Sequence, residues 1–498
     1  MQATHLNLIL VMFTVVLMAG CTVGKTPEQA HRQAQGSDLA DCAQWLVRLE
    51  ASIQRAGVRD AAAAPVEGYP YLRSNRFGAS FADTVMPDEQ LGQAWLAYLQ
   101  DLDASGRRFE ISNLPESEVG ALGAADRAVL LARIRDCGER LAEQDLPAGL
   151  PSAELVAQVR VDDHYSNGMR ALGLYELTRI PFHAGVKAWQ ERARQTIDET
   201  RQGMPPQQPL TGYAPPADQT YSRTEVQALL ADAAGHPLGI VELTVEQRAR
   251  LFATYAPRFE IETGGEYDRI GRMGWDSEGL PRVDTAVPTV YRRIDYTRVD
   301  GRTLIQLVYL AWFPERPEEH GFDLLAGRLD GLVWRVTLAP DGSPVLYDTI
   351  HPSGCYHQFI TTPRVQPLPP PEDAGEWAFV PTTLPLMGEG ERVVVSLQTR
   401  THYLRDVRLS RESDGLTYMF ADYDELRTMP LADGGSRSLF AANGLVAGSE
   451  RGERFLFWPM GIASAGAMRQ SGTQATAFVG RRHFDDADLV EKRFRLLD

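Results

Sequence analysis

The segment HPSGCYHQFI, residues 351–360, places a cysteine between two histidines. The whole chain of 498 residues has ten histidines and four cysteines, so these side chains are sparse elsewhere. Imidazole nitrogens and a thiolate are ligands that suit zinc or copper. The Pro-Ser-Gly turn puts His351 at one lip, and Cys355 and His357 follow two apart on one face of the next predicted strand. This pattern predicts a transition-metal site formed by His351, Cys355 and His357.

A four-coordinate metal needs one more ligand from elsewhere in the C-terminal half. The candidates are His402, His483 and, for copper, Met460 or Met468. The spacing lacks the paired Cys-x-x-Cys knuckles of zinc fingers. Two alternatives therefore stay open. In one, Cys355 is a nucleophile with His357 or a distant histidine as its base, and in the other the three side chains pack as ordinary core residues.

An apolar run of about a dozen residues extends from Leu8 to Ala19. It is shorter than the roughly 20 residues that span a bilayer and is typical of an export signal. Its end, LMAGC, resembles the lipobox of bacterial lipoproteins. The resemblance covers only these residues and implies a signal peptide over 1–20 and an acyl anchor, such as palmitate, on Cys21. An ordinary cleaved signal peptide is the alternative.

The residue after the cysteine, Thr22, is not aspartate, which resembles lipoproteins sorted to the outer membrane of Gram-negative bacteria. The resemblance implies a lipid-anchored protein in the cell envelope, facing either the periplasm or the cell surface. Two or more acyl chains would give stable attachment to the membrane. The formal charge of −16 repels phosphate backbones, so nucleic acid is not expected as a partner.

Three cysteines remain for an oxidising compartment once Cys21 carries lipid. Around two of them, apolar residues recur at steps of three and four, which is typical of a buried helical face. These positions are Leu39, Leu46, Leu49 and Ile53 around Cys42, and Leu130, Ile134 and Leu141 around Cys137. Two packed helices would bring Cys42 and Cys137 within reach of a disulfide, with buried reduced thiols as the alternative. Cys355 is left unpaired.

The periodicity of the chain changes from helical to alternating near residue 258. The predicted fold class is α+β, with a mostly helical N-terminal domain followed by a β-rich domain, either a sandwich or a distorted barrel. We expect a tether over 21–37, the helical domain over 38–205, a Pro-rich segment with two bridging helices over 206–257, and the β-rich domain over 258–498. Helices are predicted near 38–56, 88–102, 123–144, 186–201, 223–235 and 245–255. Strands are predicted at TLIQLVYLAWF, LVWRVTL, VLYDTIH, RVVVSLQTR, LTYMFAD, RFLFWPM and ATAFVG.

These features together predict an envelope lipoprotein whose hairpin at His351 binds zinc or copper. No P-loop, Gly-x-Ser-x-Gly elbow or His-Glu-x-x-His helix occurs in the sequence, so catalysis is left open. Two other functions also stay open: a non-catalytic scaffold or binding lipoprotein, and a cysteine-dependent hydrolase or transferase. The membrane is the one partner that the sequence predicts.

Overall fold

Helices dominate the chain as far as Arg201, and strands dominate from Arg258 onward, which confirms the α+β class. The computed structural model describes residues 37–497 apart from 87, 147, 218, 322, 373 and 433. The predicted leader, the lipobox at Cys21 and the tether up to residue 36 lie outside the described residues. Within the described part of the chain, we find no helix with the length and apolar character needed to cross a membrane.

The helices follow the predicted pattern with two notable extensions. They are α1 (Ser37–Ala56), α2 (Arg76–Ala79), α3 (Glu89–Asn113), α4 (Glu116–Ala121), α5 (Arg127–Asp145), α6 (Ala153–Gln158), α7 (Asn167–Leu172), α8 (Tyr175–Arg201), α9 (Arg223–Ala231), α10 (Val245–Tyr255) and α11 (Arg454–Phe457). Helix α3 continues beyond the predicted end because its second half buries Asp103, Arg107 and Glu110, whose charges interrupt the apolar periodicity. Helix α8 begins before the predicted start, with Pro181 inside it and apolar residues exposed on its first turns.

The predicted disulfide between Cys42 and Cys137 is confirmed. The two residues lie on the buried faces of α1 and α5, with Cα atoms 5.2 Å apart. Around them pack the apolar residues that the periodicity assigned to the core, including Leu46 and Leu141. The bridge therefore joins two helices that already share one hydrophobic cluster.

The strands form two large open sheets and several small ones. They are β1 (Ala64–Val66), β2 (Tyr69–Ser74), β3 (Leu210–Ala214), β4 (Arg258–Glu262), β5 (Arg272–Trp275), β6 (Pro281–Asp284), β7 (Thr289–Val299), β8 (Arg302–Arg316), β9 (Gly327–Leu338), β10 (Pro344–Ile350), β11 (Gln358–Thr361), β12 (Val365–Pro367), β13 (Thr382–Thr383), β14 (Arg392–Leu397), β15 (Leu404–Ser410), β16 (Leu416–Thr417), β17 (Met419–Asp422), β18 (Met429–Pro430), β19 (Ser436–Arg437) and β20 (Phe494–Leu496). The seven-stranded sheet has the order β13-β11-β10-β9-β8-β7-β17, and the five-stranded sheet has the order β15-β14-β4-β3-β16.

One hydrophobic cluster holds side chains from both large sheets. Tyr309 and Trp334 of the seven-stranded sheet pack in the same core as Phe259 and Val395 of the five-stranded sheet. Helices α9 and α10 close this core, for example through Phe252. Because neither sheet closes on itself, the structure has packed open sheets, and the distorted-barrel alternative is wrong.

The C-terminal segment, residues 453–482, is not the pair of strands predicted from RFLFWPM and ATAFVG. Residues 454–457 form α11, and a 3-10 turn follows in which Pro459 has no N–H to give to a strand ladder. The segment instead packs back onto the helical half. Tyr165 donates a hydrogen bond of 2.8 Å to the carbonyl of Ala477, and the Ala61 amide donates one of 3.2 Å to the side-chain oxygen of Gln470.

Candidate ligand pocket

The turn between β10 and β11 carries the three predicted metal ligands. Since β11 begins after this turn, Cys355 and His357 do not lie on a strand, and the expected alternation does not apply to them. Gly354 and Tyr356 have positive φ angles of +94° and 63°. A side chain at Gly354 would also clash with the backbone carbonyl of Ala475. Glycine is therefore required where the turn presses against the C-terminal segment.

Two aspartates on neighbouring strands hold the two histidines of this turn. His351 Nδ1 lies 3.0 Å from Oδ1 of Asp330 on β9, and His357 Nε2 lies 2.9 Å from Oδ2 of Asp348 on β10. Arg335 donates two further hydrogen bonds, of 2.9 and 2.6 Å, to Asp348. Burial lowers the pKa of both imidazoles, that of His357 to about 3, so both rings are neutral at neutral pH. Each histidine is thus already engaged by its own carboxylate.

The three predicted metal ligands do not converge in the described structure. Their ligand atoms do not all lie within 4.8 Å of one another. Among the described residues, only Cys42, Asp136 and Cys137 bring three such atoms that close, and the two sulfurs there are joined in the disulfide. The residues around His351 therefore do not show the closed ligand set that a structural zinc or copper site uses.

His402 is the candidate fourth ligand that joins the histidine turn. Its Nδ1 lies 2.9 Å from Oδ2 of Asp330, whose other oxygen contacts His351. Its Nε2 lies 3.3 Å from Oδ1 of Asp268, and its ring stacks on that of Phe313 at 3.8 Å. The result is a buried chain of alternating side chains, Asp268, His402, Asp330 and His351. These four come from separate loops and strands, and no spacing in the sequence indicated that they would meet.

The contacts within this Asp-His chain shift the pKa values of its members. Burial acts to raise the pKa of Asp330, but His351 and Arg451 hold it well below its usual value. Burial acts to lower the pKa of His402, but its two carboxylate partners raise it above its usual value. His402 thus lies between two carboxylates, and Arg451 contacts Asp330 at 3.2 Å. Through His351, this chain of contacts links the turn to β9 and to the segments that carry Asp268 and His402.

The other candidate ligands have surroundings of their own in the described structure. His483 lies 3.7 Å from a carboxylate oxygen of Asp163 and 3.6 Å from one of Asp486. Met468 packs in an apolar cluster with Trp312, and Met460 is fully buried in the 3-10 turn after α11. These three side chains stabilise the C-terminal segment in the described structure.

A cavity of about 530 Å³ lies between α8, the turn at 351–357 and the C-terminal segment, and we call it the ligand pocket. Most of its lining is apolar or aromatic. The larger side chains are Phe182, Val186, Trp189, Tyr356, Tyr403, Phe457 and Phe478. Besides the tyrosines, six lining residues carry ionisable groups, namely Arg192, Cys355, His357, Glu376, Glu453 and Arg482. The predicted turn therefore forms part of a pocket wall.

Glu453 is the most unusual polar group of this pocket. It is only 3% exposed, and no described residue donates a hydrogen bond to its carboxylate. Burial raises its pKa to about 7, although Arg451 and Arg316 act in the opposite direction. Its carboxylate lies over Gly466, where any side chain would collide with it. The carboxyl group faces the cavity and has no donor within the described chain, so a group that enters the pocket can bind it.

Two other carboxylates near the pocket are, by contrast, provided with partners. Glu376 accepts backbone hydrogen bonds from Phe478 and Val479 at 2.7 and 3.0 Å. Asp348 is paired with Arg335 and His357. Sequence reasoning did not identify Glu453, because it stands alone in an irregular segment with no periodic pattern around it.

Cys355 is the free cysteine of the described chain, and its side chain faces the pocket. The residue as a whole is partly exposed, whereas its thiol is buried. Burial raises the pKa of this thiol to about 12, and the charge of Glu453 adds to the effect. The thiol is therefore protonated at neutral pH, whereas an activated nucleophilic cysteine has a lowered pKa.

Comparison of the chain with protein-family models, with curated proteins and with solved structures finds no match in any of the three. Function is therefore inferred from this chain's own residues.

Proposed function

We propose that this chain is a cell-envelope lipoprotein, held at the membrane through an acylated Cys21, that binds a small amphiphilic molecule in the ligand pocket. One observation carries the proposal: an apolar cavity of about 530 Å³ contains a buried carboxyl group, Glu453, that has no partner among the described residues. Cavities of this size with an apolar lining and a few polar groups are the usual form of a small-molecule site.

The lining indicates the chemical class of the ligand. The rings of Trp189, Tyr356 and Tyr403 contact one another, with centroids 5.2 Å apart for Trp189 and Tyr356 and 4.6 Å apart for Tyr356 and Tyr403. Such a surface favours an extended or flat apolar body. Near neutral pH the carboxyl of Glu453 both donates and accepts hydrogen bonds. We infer a ligand with an apolar body and one hydroxyl, amide or carboxyl group.

The proposal is tested on the unacylated chain from Thr22 onward, which keeps every described residue. Val186 lines the pocket on α8, and Val186→Trp fills part of the cavity. Ala184 is exposed on the same helix and does not line the pocket, so Ala184→Trp is the matched control. We expect a fluorescent anilinonaphthalene probe to bind the unaltered chain, at least about tenfold more weakly in Val186→Trp, and unchanged in Ala184→Trp.

Natural ligands are sought by solvent extraction and mass spectrometry of the same proteins. A molecule recovered from the unaltered chain and missing from Val186→Trp would support the proposal. Equal probe affinity in all three proteins, with unchanged circular dichroism, would contradict it and favour the scaffold function.

The metal-binding function has its own measurement. Elemental analysis is made on protein purified without chelator or affinity metal, beside a Cys355→Ala variant. Near-stoichiometric zinc or copper that disappears in the variant would replace the amphiphile with a metal as the ligand of this turn. Metal-free protein in both preparations agrees with the separate aspartate partners of His351 and His357.

A further inference from the structure

A group of exposed apolar side chains lies beside the ligand pocket. We call it the apolar rim and define it as Leu172, Leu174, Leu177, Ile180, Phe455 and Leu456. Leu172, Leu177 and Ile180 are 80%, 67% and 65% exposed, and Phe455 is 72% exposed. Single exposed apolar residues are ordinary on protein surfaces. A group of them next to a cavity indicates an interaction site.

The two sides of the apolar rim are held together by tertiary contacts. The α7–α8 side and the α11 side meet where the rings of Phe182 and Phe457 pack at 5.3 Å, and both rings line the pocket. Arg170 of α7 donates a hydrogen bond of 2.9 Å to the carbonyl of Met460, just after α11. Leu456 belongs to the rim and to the pocket lining at once. The rim is therefore continuous with the pocket wall.

Cations accompany the rim in a chain whose formal charge is −16. Lys187 and Arg192 on α8 and Arg454 on α11 make no ion pair with any described residue. The acidic residue nearest the rim on α8, Glu176, is paired with Arg179 at 2.8 Å. This side of the molecule thus combines apolar side chains with unpaired positive charge, which is the pattern of proteins that lie on anionic membrane surfaces.

We propose that the apolar rim docks onto a phospholipid bilayer containing anionic lipids, and that the pocket ligand exchanges directly with that bilayer. The second part rests on the proposed function. The residues from Cys21 to Ser37 would reach about 50 Å when extended, so an anchor at Cys21 leaves the rim free to turn toward the membrane. In a symmetric dimer formed through the rim, the unpaired cations of the two copies would face each other and repel, so charge favours anionic lipid headgroups as the occupant.

The test measures flotation of the unacylated chain from Thr22 onward with vesicles. Vesicles of equal parts phosphatidylethanolamine and phosphatidylglycerol are compared with vesicles of phosphatidylcholine alone. We expect binding to the anionic vesicles that weakens with salt and falls by about tenfold or more in Leu177→Asp/Ile180→Asp and in Phe455→Asp. Val245, which is 88% exposed on α10, gives the control Val245→Asp, expected to bind normally.

The outcomes separate this proposal from the previous one. Rim variants should still bind the fluorescent probe in solution, while Val186→Trp should still bind vesicles. Equal vesicle binding by rim variants and the control would overturn membrane docking, as would no binding by the unaltered chain. A dimer in analytical ultracentrifugation that the rim substitutions dissociate would also overturn it, because the rim would then be covered by a second copy.

Discussion

The helical half and the ligand pocket bury charged side chains in different ways. In the helical half, buried Arg73 lies 3.0 Å from Asp103 and 2.8 Å from Glu110, and Arg107 lies 2.9 Å from Glu50. In the pocket, Glu453 is equally buried but has no such partner. A paired network fixes how helices pack, whereas an unpartnered group lowers stability and is retained where a ligand can satisfy it. The contrast separates a structural cluster from the proposed binding site.

The largest expected effect tests the structural side of this comparison. Arg73→Met leaves Asp103 and Glu110 buried without their main partner, so we expect the free energy of unfolding to fall by about 4 kcal/mol. Urea unfolding followed by circular dichroism measures it. Arg55, which is paired with Glu118 at the surface, provides the control Arg55→Met, with an expected loss below about 1 kcal/mol. Equal losses in the two variants would remove the distinction between buried and surface pairs.

The disulfide gives the next largest effect on the same half. Replacing both Cys42 and Cys137 by alanine removes a cross-link between residues 95 apart in sequence, and we expect a loss of about 3 kcal/mol in the free energy of unfolding. Cys355→Ala, which breaks no bridge, is the control. Peptide mapping without reductant must find Cys42 joined to Cys137. A bridge that includes Cys355 would contradict the assignment.

The reactivity of the Cys355 thiol tests how the pocket affects a group in its wall. Burial raises the pKa of Cys355 to about 12, so we expect iodoacetamide to react with this thiol slowly at neutral pH in the folded chain from Thr22. The rate should be at least about a hundredfold lower than in the urea-unfolded chain, equivalent to about 2.7 kcal/mol. Mass spectrometry of the labelled peptide follows the rate. Faster labelling of the folded chain would show an activated thiol and would revive the cysteine-dependent enzyme.

The smallest expected effect is a gain in stability rather than a loss. The pKa of Glu453 is raised from 4.5 to about 7, so the folded chain holds this proton more tightly than the unfolded chain, and ionisation of Glu453 costs stability as pH rises above 4.5. Glu453→Gln should therefore stabilise the protein by about 2 kcal/mol at about pH 6 and have little effect at about pH 4.

Urea unfolding at the two pH values checks this sign, with the exposed Glu389→Gln as the control. A loss of stability in Glu453→Gln at the higher of the two pH values would mean that the carboxylate is stabilised within the fold. Glu453 would then belong with the structural charges of the helical half.

Features of the fold with regular spacing were predictable from the sequence. Cys42 and Cys137 each stood in a helical repeat of apolar residues, so both their faces and their pairing followed. The hairpin of β9 and β10 followed from its Pro-Asp-Gly turn and its alternating residues. Residues 454–460 were wrongly predicted to form a strand because aromatic residues favour strands. Pro459 in this segment cannot donate to a strand ladder.

The candidate site was predictable only in part, because distant segments build it. The turn at 351–357 was singled out, but its histidines bind aspartates rather than converging with Cys355. Asp268, Asp330 and Glu453 have no local pattern that marks them. Their roles arise from burial and neighbours that the folded chain alone supplies.

The position of the C-terminal segment also sets the time at which the pocket can load. Residues 453–482 supply one wall of it, and they hold on to the helical half through contacts such as Ala61 with Gln470, which are 409 residues apart. In export from the N-terminus, the helical elements up to Arg201 would emerge long before this wall does. Contacts of such sequence separation form slowly. For a chain exported from its N-terminus, as the lipoprotein proposal requires, the pocket would take up its proposed ligand only after nearly the whole polypeptide has emerged, and a chain stalled short of residue 453 would lack this wall.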